Sequence, residues 1–572
     1  MKYEDENITS VWRDFDKGRM YNRSKKLYTD TEQNYDFYYG EQNKYLNIGN
    51  ETPVTLNIIK SIVKYKLGVV NSNAYAIVYN PNFYGAKDAN QVLQSLCDAL
   101  SKHSNQIWEL QQVGAKIKIA LKDACINDEG ILHSYFDIDK QQIVTEVIDK
   151  NNIYYGNEND SDIQNQPYII ISYRKPVTQV REEARLREIS EDKIELINSD
   201  GETLEQAGYK GVTDEVNPMC LVLLKYYKKN GKVYYTRATK AVELESNVDT
   251  KETLYPVCHM VWEEVKGSAR GIGAVRHIIP NQIEINKIAT RRALSVKISA
   301  FPKLVVNDEF VKNSSALEKV GSTIKLKGGA SIEDVRKQVG YLNPASMSTD
   351  AKNLQDDIQS STRDLEGAGD VATGTVDPTQ ASGKAILAVK QASEQPLNEQ
   401  VETFKTFVED LARIYFDMWK AYSVNGLKIL TEQQDESGQT IQVPTTIPYE
   451  VLKTLEANIK IDITPSSPYD IYAEEQTLGN LLSNGFITFE EYIELLPEGS
   501  ATRKDKLQEI LKERKEKEAK FMEMQMEVNK LESGMNQVLQ MQSDDRNQIE
   551  QIAQEGNQIG GVANEMPQMQ VG

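Results

Sequence analysis

The sequence predicts an α+β fold, with long helices and a β-rich block in separate stretches of the chain rather than in strict alternation. Three observations lead there. From Leu397 to Tyr422 the residues Leu397, Val401, Phe404, Val408, Leu411, Tyr415, Met418 and Tyr422 recur at alternating intervals of four and three, which lays one apolar stripe along a long helix. Between Ile131 and about Glu264 the texture changes to short β-rich runs, such as Ile131 to Ile138, Ile143 to Ile148 and Tyr168 to Arg174, broken by turn residues. A small mixed segment from Pro302 to Asn343 interrupts two helices.

Taken in order, the first 50 residues are polar and tyrosine-rich and read as a short helix followed by a loop. Ile58, Ile59, Ile62, Val63 and Leu67 then mark a helix within Val54 to Val70, and Val113 to Ile126 repeats the pattern before the polar stop Asn127-Asp128-Glu129-Gly130. In the β-rich block the clearest hairpin joins Cys220 to Lys228 with Val233 to Thr239 through Asn230-Gly231, a dipeptide that tolerates positive φ. Asp200-Gly201 marks a second turn, and Val257 to Val261 another strand.

After Gly267 the chain turns helical, through Gly271-Ile272-Gly273 and past Pro280 to about Ser299. The second half of this helix carries Lys287, Arg291, Arg292 and Lys297 with no acid after Glu284, a positive element in an acidic chain. The mixed segment contains strand-like Lys303 to Asn307 and Ser322 to Lys327, a Gly328-Gly329 turn and a short helix from Ile332 to Gln338. A helix from Ser346 to Leu365 leads into a long loop of small residues, Gly367 to Gly383, of a length that is usually functional or mobile. The long helix spans Lys384 to Tyr422, with Pro396 expected to kink its start. Beyond it come strand-like Ile459 to Ile463 and a helix from Phe486 to Leu496. A charged helix from Thr502 to about Val538 then keeps Phe521, Met524, Val528, Leu531, Met535 and Val538 at heptad-like spacing. The last thirty residues, rich in Gln, Asn and Gly, are expected to be disordered.

Composition removes whole classes of function. With 40% hydrophobic and 26% charged residues the chain is not wholly disordered. A net charge of −19 argues against a protein that clamps nucleic acid over its whole surface. Cys97, Cys125, Cys220 and Cys258 lie far apart, so neither a disulfide framework nor a zinc site is indicated. The N-terminus has no signal-peptide pattern and the apolar runs are too short to cross a bilayer, so a cytoplasmic chain without membrane insertion is expected. Gly271-Ile272-Gly273 lacks the third glycine of a dinucleotide fingerprint, since Arg276 stands there. Ser382-Gly383-Lys384 lacks a phosphate-loop context, with Pro378 and Ala385 at the key positions. His103, His133, His259 and His277 show no metal-ligand spacing, and no nucleophile motif appears. No catalysis and no cofactor are expected.

The order of parts, together with Tyr38-Tyr39-Gly40-Glu41-Gln42, the Gly271 to Asn286 segment and Ala381-Ser382-Gly383-Lys384-Ala385, resembles the portal proteins of tailed double-stranded-DNA bacteriophages. The resemblance implies a portal-type fold. Residues 1–130 would be the helical part of a wing, 131–266 its β-rich domain, 267–301 the first stem helix, 302–344 a mixed α/β clip and 345–366 the second stem helix. Residues 367–383 would be a tunnel loop, 384–424 a long wing helix, 425–470 a return β segment, 471–542 a helical crown and 543–572 a disordered tail. It further implies a ring, twelve subunits in the family, at one capsid vertex of the virion, assembled in the host cytoplasm, through which DNA is packaged and ejected. Its partners would be double-stranded DNA without sequence preference, the large terminase, major capsid and scaffolding proteins and a head-tail adaptor. Lys287, Arg291, Arg292 and Lys297 would be the stem residues toward DNA, and Thr373, Thr375, Asp377, Gln380 and Lys384 the tunnel-loop residues. The rival reading is a cytoplasmic coiled-coil scaffold or adaptor, a dimer or trimer held by the C-terminal heptads.

Overall fold

The computed structural model describes residues 6–49, 52–71, 74–81, 87–200, 218–300, 349–369, 394–434, 440–455, 457–464, 468–496 and 504–559, with residue 392 and scattered positions between 303 and 342. The chain divides into two units, residues 1–464 and 465–572.

The first unit opens with α1 (Glu6–Ser24) and α2 (Leu27–Tyr39), where the sequence suggested one short helix and a loop. The signal is faint because α1 needs only Val11 and Phe15 to seat it against Tyr154, Ile170, Leu221 and Leu223. Helix α2 stops at Gly40, whose φ of +92° suits glycine alone among common residues. The Asn57 side chain accepts the Lys60 amide and so starts α3 (Ile58–Val70). Strand β1 (Ala74–Pro81) and helices α4 (Lys87–Leu110) and α5 (Val113–Asn127) follow.

The β-rich block contains β2 (Glu129–Asp137), β3 (Gln142–Ile148), β4 (Ile153–Tyr155) and β5 (Tyr168–Pro176), then α6 (Val177–Leu186) and α7 (Glu191–Ile194), then β6 (Met219–Lys229), β7 (Lys232–Ala238), β8 (Glu243–Asp249) and β9 (Val257–Val261). Two antiparallel sheets result, ordered β3-β2-β9 and β4-β5-β6-β7-β8. The β6–β7 hairpin turns through Asn230 and Gly231 at φ +53° and +75°, as the sequence indicated. Strand alternation splits β2 between two cores. Ile131 packs with Ile153, Ile169 and Val257, while Leu132 belongs with Ile117, Leu121 and Leu411. The block is not purely β, because Val180, Ala184 and Ile194 of α6 and α7 cover Cys220 and Val222.

Helix α8 (Ala274–Ala300) starts later than the expected residue 267, and Pro280 lies inside it. Strands β10 (Lys303–Val306) and β11 (Val339–Leu342) pair antiparallel and close the mixed segment. The strand expected at Ser322 to Lys327 and the helix at Ile332 to Gln338 lie largely outside the described residues, as does the loop beyond residue 369. Helix α9 (Asp350–Leu365) follows. Pro396 sits in a single 3-10 turn, Gln395–Leu397, between helical Glu394 and α10 (Asn398–Tyr422), so regular helix is interrupted where the sequence predicts a kink, and the expected start of the helix from Lys384 lies largely outside the described residues. The α10 stripe is core: Phe404, Val408, Leu411, Tyr415 and Met418 are all buried. Strands β12 (Leu427–Gln434) and β13 (Thr440–Ile447), helix α11 (Tyr449–Thr454) and strand β14 (Ala457–Thr464) complete the unit. β14 returns to pair along its whole length with β1.

The second unit holds α12 (Pro468–Ser483), α13 (Phe489–Leu495), capped reciprocally by Thr488 and Glu491, and α14 (Lys504–Ile559). The tail expected to lose order from residue 543 is helical to Ile559. Gln, Glu, Arg and Ala within residues 543–559 favour a helix by propensity even where no apolar stripe marks one. Phe521, Met524, Val528, Leu531 and Met535 are exposed on α14.

One buried acid makes the α10 contact pH-sensitive. Asp417 accepts the amides of Thr253 (2.7 Å) and Leu254 (3.0 Å). Next to this cap, burial pushes the Glu252 carboxyl up to about 8, with the Asp417 charge adding and a Tyr422 hydrogen bond opposing. Stability from such a raised acid is complete below its ordinary value of 4.5 and is lost as pH rises through about 8. Glu252→Gln is expected to raise the thermal midpoint at pH 9 and to change it little at pH 5, as read by calorimetry. An equal effect at both pH values would contradict this.

Candidate functional site

The chemistry of this chain concentrates where the β block hands over to α8. Asp128, at the end of α5, adopts φ +78°, outside the ordinary range for a non-glycine residue. Its backbone carbonyl accepts the Trp262 amide at 3.0 Å. One carboxylate oxygen takes the Lys150 ammonium and the other the Gly273 amide, both at 2.6 Å. A carboxylate held at the mouth of α8 complements the positive end of the helix. Gly271 and Gly273 are explained by this close approach. A Cβ at Gly271 would stand 2.7 Å from the Val261 Cβ, and one at Gly273 would stand 2.8 Å from the Asp128 nitrogen. The Gly-Ile-Gly motif is thus a packing device.

Next to it, Arg270 is buried between two acids. Its Nε and Nη2 bind Glu158 at 2.9 and 3.1 Å, its Nη1 binds Glu129 at 3.1 and 3.3 Å, and Nη2 also donates to the Ile153 carbonyl at 3.1 Å. The Tyr155 ring lies 4.5 Å below the guanidinium. Burial alone would raise the Glu129 carboxyl, but the Arg270 charge and the His259 hydrogen bond outweigh it and hold the group at about 2. His259 reaches Glu129 at 3.2 Å. His133 is buried between the hydroxyls of Tyr173 and Tyr226 at 2.8 and 2.9 Å. All four cysteines are buried and unpaired. Among the described residues no cluster of His, Cys, Asp or Glu could hold a metal ion, and no helix is long and apolar enough to cross a membrane.

Along α8 runs a buried polar spine. Gln282, Asn286 and Thr290, spaced by four, are at most 3% exposed. They bind the extended segment before α3: Thr290 Oγ1 accepts the Val54 amide (3.0 Å), Asn286 Oδ1 the Leu56 amide (2.9 Å) and Gln282 Oε1 the Ile58 amide (3.0 Å). Gln282 also donates to the Leu56 carbonyl at 2.7 Å. The match is geometric, because four helical residues rise about 6 Å and two extended residues about 6.7 Å. Sequence reasoning missed this spine, although three uncharged polar residues at i, i+4 and i+8 were a readable signal.

Helix α9 packs against α8 in the opposite sense. Asn281 donates to Thr362 (3.0 Å) and Arg292 to Gln355 (2.6 Å), and Lys66 of α3 holds Glu366, just past α9, at 2.6 Å. The four basic residues singled out on α8 therefore have different surroundings. Arg292 is turned between the two helices. Lys287 is partly exposed and pairs with Glu284 at 3.3 Å, and Arg291 and Lys297 are exposed. Thr373, Thr375, Asp377, Gln380 and Lys384 lie outside the described residues.

Compared with known proteins, the chain matches the model of the phage P22-like portal protein family over residues 126–563. It belongs to the P22-like portal protein family. That match takes in Asp128, Glu129, Arg270, the spine on α8, the α8–α9 pair and most of α14, and leaves the 54–58 segment outside it. Among solved structures, a chain described as from the neck of an empty GTA particle computed with C6 symmetry is 9% identical, with 77% of this chain and 88% of that chain covered and a TM-score of 0.33. No curated protein sequence matches.

In this portal-family chain, removing Arg270 would strand two buried carboxylates. Breaking a buried pair from one side costs about 3–5 kcal/mol. Arg270→Met is expected to lower the thermal midpoint clearly, and Glu129→Gln added to it should restore part of the loss. A double variant no more stable than Arg270→Met alone would contradict this. Backbone packing at the same junction gives a second check. Gly130→Ala would set a Cβ 2.2 Å from the Ala120 carbonyl oxygen, whereas Gly68→Ala, exposed within α3, meets nothing within 4 Å. The first should destabilise, and the second should stabilise by roughly 0.5–1 kcal/mol in denaturant titrations.

Proposed function

We propose that this chain assembles into a closed ring at one vertex of a capsid, through which double-stranded DNA enters during packaging and leaves on ejection. The single observation that carries the reading is the portal-family match from residue 126 to residue 563. In this reading the block of residues 1–266 together with 384–470 is the wing, α8 and α9 the stem, residues 302–344 the clip and the C-terminal helices the crown.

Physical features of the chain support the reading. A conduit must pass DNA without gripping it, and each neutralised phosphate strengthens binding by counterion release. An acidic chain of net charge −19 suits that demand. The chain is read as structural, with packaging energy supplied by a separate terminase ATPase docking at the clip, where a head-tail adaptor would later bind. Capsid and scaffolding proteins would contact the ring's outside. The loop of residues 367–383 is read as facing DNA, with Thr373, Thr375, Asp377, Gln380 and nearby Lys384 offering contacts. The cations of α8 expected to face DNA can meet either phosphates or the acids of another subunit. The exposed apolar positions of α14, from Phe521 to Met535, suit association between copies.

Native mass spectrometry with negative-stain imaging of the purified chain tests the reading. The expected particle is a ring with a central hole and a mass near twelve times the 64.7 kDa of one chain. A stable dimer or trimer without a hole would favour the coiled-coil adaptor instead.

A further inference from the structure

The α8–α9 pair leaves two stripes uncovered, and they are opposite in charge. On α9, Gln355 and Thr362 face α8. At about 100° per residue, Asp350, Leu354, Asp357, Ser361 and Asp364 recur at intervals of four and three on a line well round from that contact. All five are exposed, Leu354 by 53%. On α8, Arg292 faces α9. Lys287, Arg291, Leu294 and Ile298 recur at four, three and four on another line turned away from it, with Arg291 exposed and Ile298 46% exposed. One stripe therefore combines three acids with a leucine, and the other combines two cations with a leucine and an isoleucine. Neither Arg291 nor Asp357 makes an ion pair among the described residues.

A closed ring of more than two copies requires contacts between two different patches of the same chain, whereas a two-fold dimer sets one patch against itself. Either stripe against its own copy would bring like charges together, at a cost. Resting on the ring reading above, we infer that the Lys287–Arg291–Leu294–Ile298 stripe of one copy packs against the Asp350–Leu354–Asp357 stripe of the next. The levels agree. Arg292 is level with Gln355 within one chain, and rotation about a ring axis adds no shift along it. For helices running near that axis, Arg291 therefore comes opposite Asp357, and Leu294 opposite Leu354. DNA is the weaker occupant of the basic stripe, because Leu294 and Ile298 offer nothing to a phosphate backbone.

The test is a charge exchange in the full chain, read by native mass spectrometry across a dilution series, with the thermal midpoint as folding control. Both side chains are exposed, so Arg291→Glu and Asp357→Arg should leave the midpoint unchanged when it is read below the assembly concentration, where association adds no stability. Each single variant should raise the concentration needed for half-assembly by at least about tenfold, the effect of some 1.4 kcal/mol. The double variant, which restores an opposite pair at every junction, should assemble nearly as the wild type does. Single variants that assemble like the wild type would overturn the inference while leaving the ring reading intact. If Arg291→Glu then lowered packaged DNA in otherwise normal rings, Arg291 would belong to the channel. A double variant no better than the singles would overturn the pairing. A wild-type chain that forms no ring at all would remove the ring reading, and this inference with it.

Discussion

One buried guanidinium holds the architecture together. Arg270 binds Glu158 from the β block and Glu129 from the start of β2, and it lies three residues before the Gly273 amide that Asp128 takes. Burying three charges is costly, and the cost is offset only when each finds its partners. Here it fixes where α8 leaves the sheets. The polar spine of Gln282, Asn286 and Thr290 then fixes its path over about two further turns, because side-chain amides and hydroxyls bind particular backbone groups where apolar contacts could slide. Past Thr290 these constraints end. From there α8 is held mainly by α9, and it is there that its surface becomes basic and exposed.

The fold was legible in the sequence wherever one local signal sufficed. The α10 stripe, the Asn230-Gly231 hairpin and the β2 run are each written in a few neighbouring residues. What was not legible depended on distant partners. β1 finds its mate in β14, near the opposite end of the same unit, and short strands with remote partners look like loops. Helix α1 rests on two apolar side chains and carries too little periodicity to be seen. Helix α14 continues past its apolar pattern through residues 543–559, where Gln and Glu favour a helix without marking a stripe.

The candidate site was legible in type and not in arrangement. The basic run on α8 stood out, but its four residues read as one set. The structure turns Arg292 inward to Gln355 while Arg291 and Lys297 stay outside, and only the position of α9 decides this. Gly271-Ile272-Gly273 illustrates the converse. Its spacing falls short of a dinucleotide fingerprint without showing what the glycines are for, and their neighbours prove to be Val261 and Asp128. Asp128 and Glu129 read as a polar stop and proved to be the anchor, since no local pattern shows that Lys150 and Arg270 fold back onto them.

A buried junction leading into a helix pair with one basic and one acidic exposed stripe is a unit suited to repeating around a ring. Because all four native cysteines are buried, introduced surface thiols can report which faces meet. The most direct measurement is crosslinking of a chain carrying both Leu294→Cys and Leu354→Cys with a short bismaleimide, resolved on a denaturing gel. If the two stripes meet between copies, the double variant gives a ladder of multimers extending to the ring, and either single variant gives monomers alone. Dimers from a single variant, or no ladder from the double one, would contradict it.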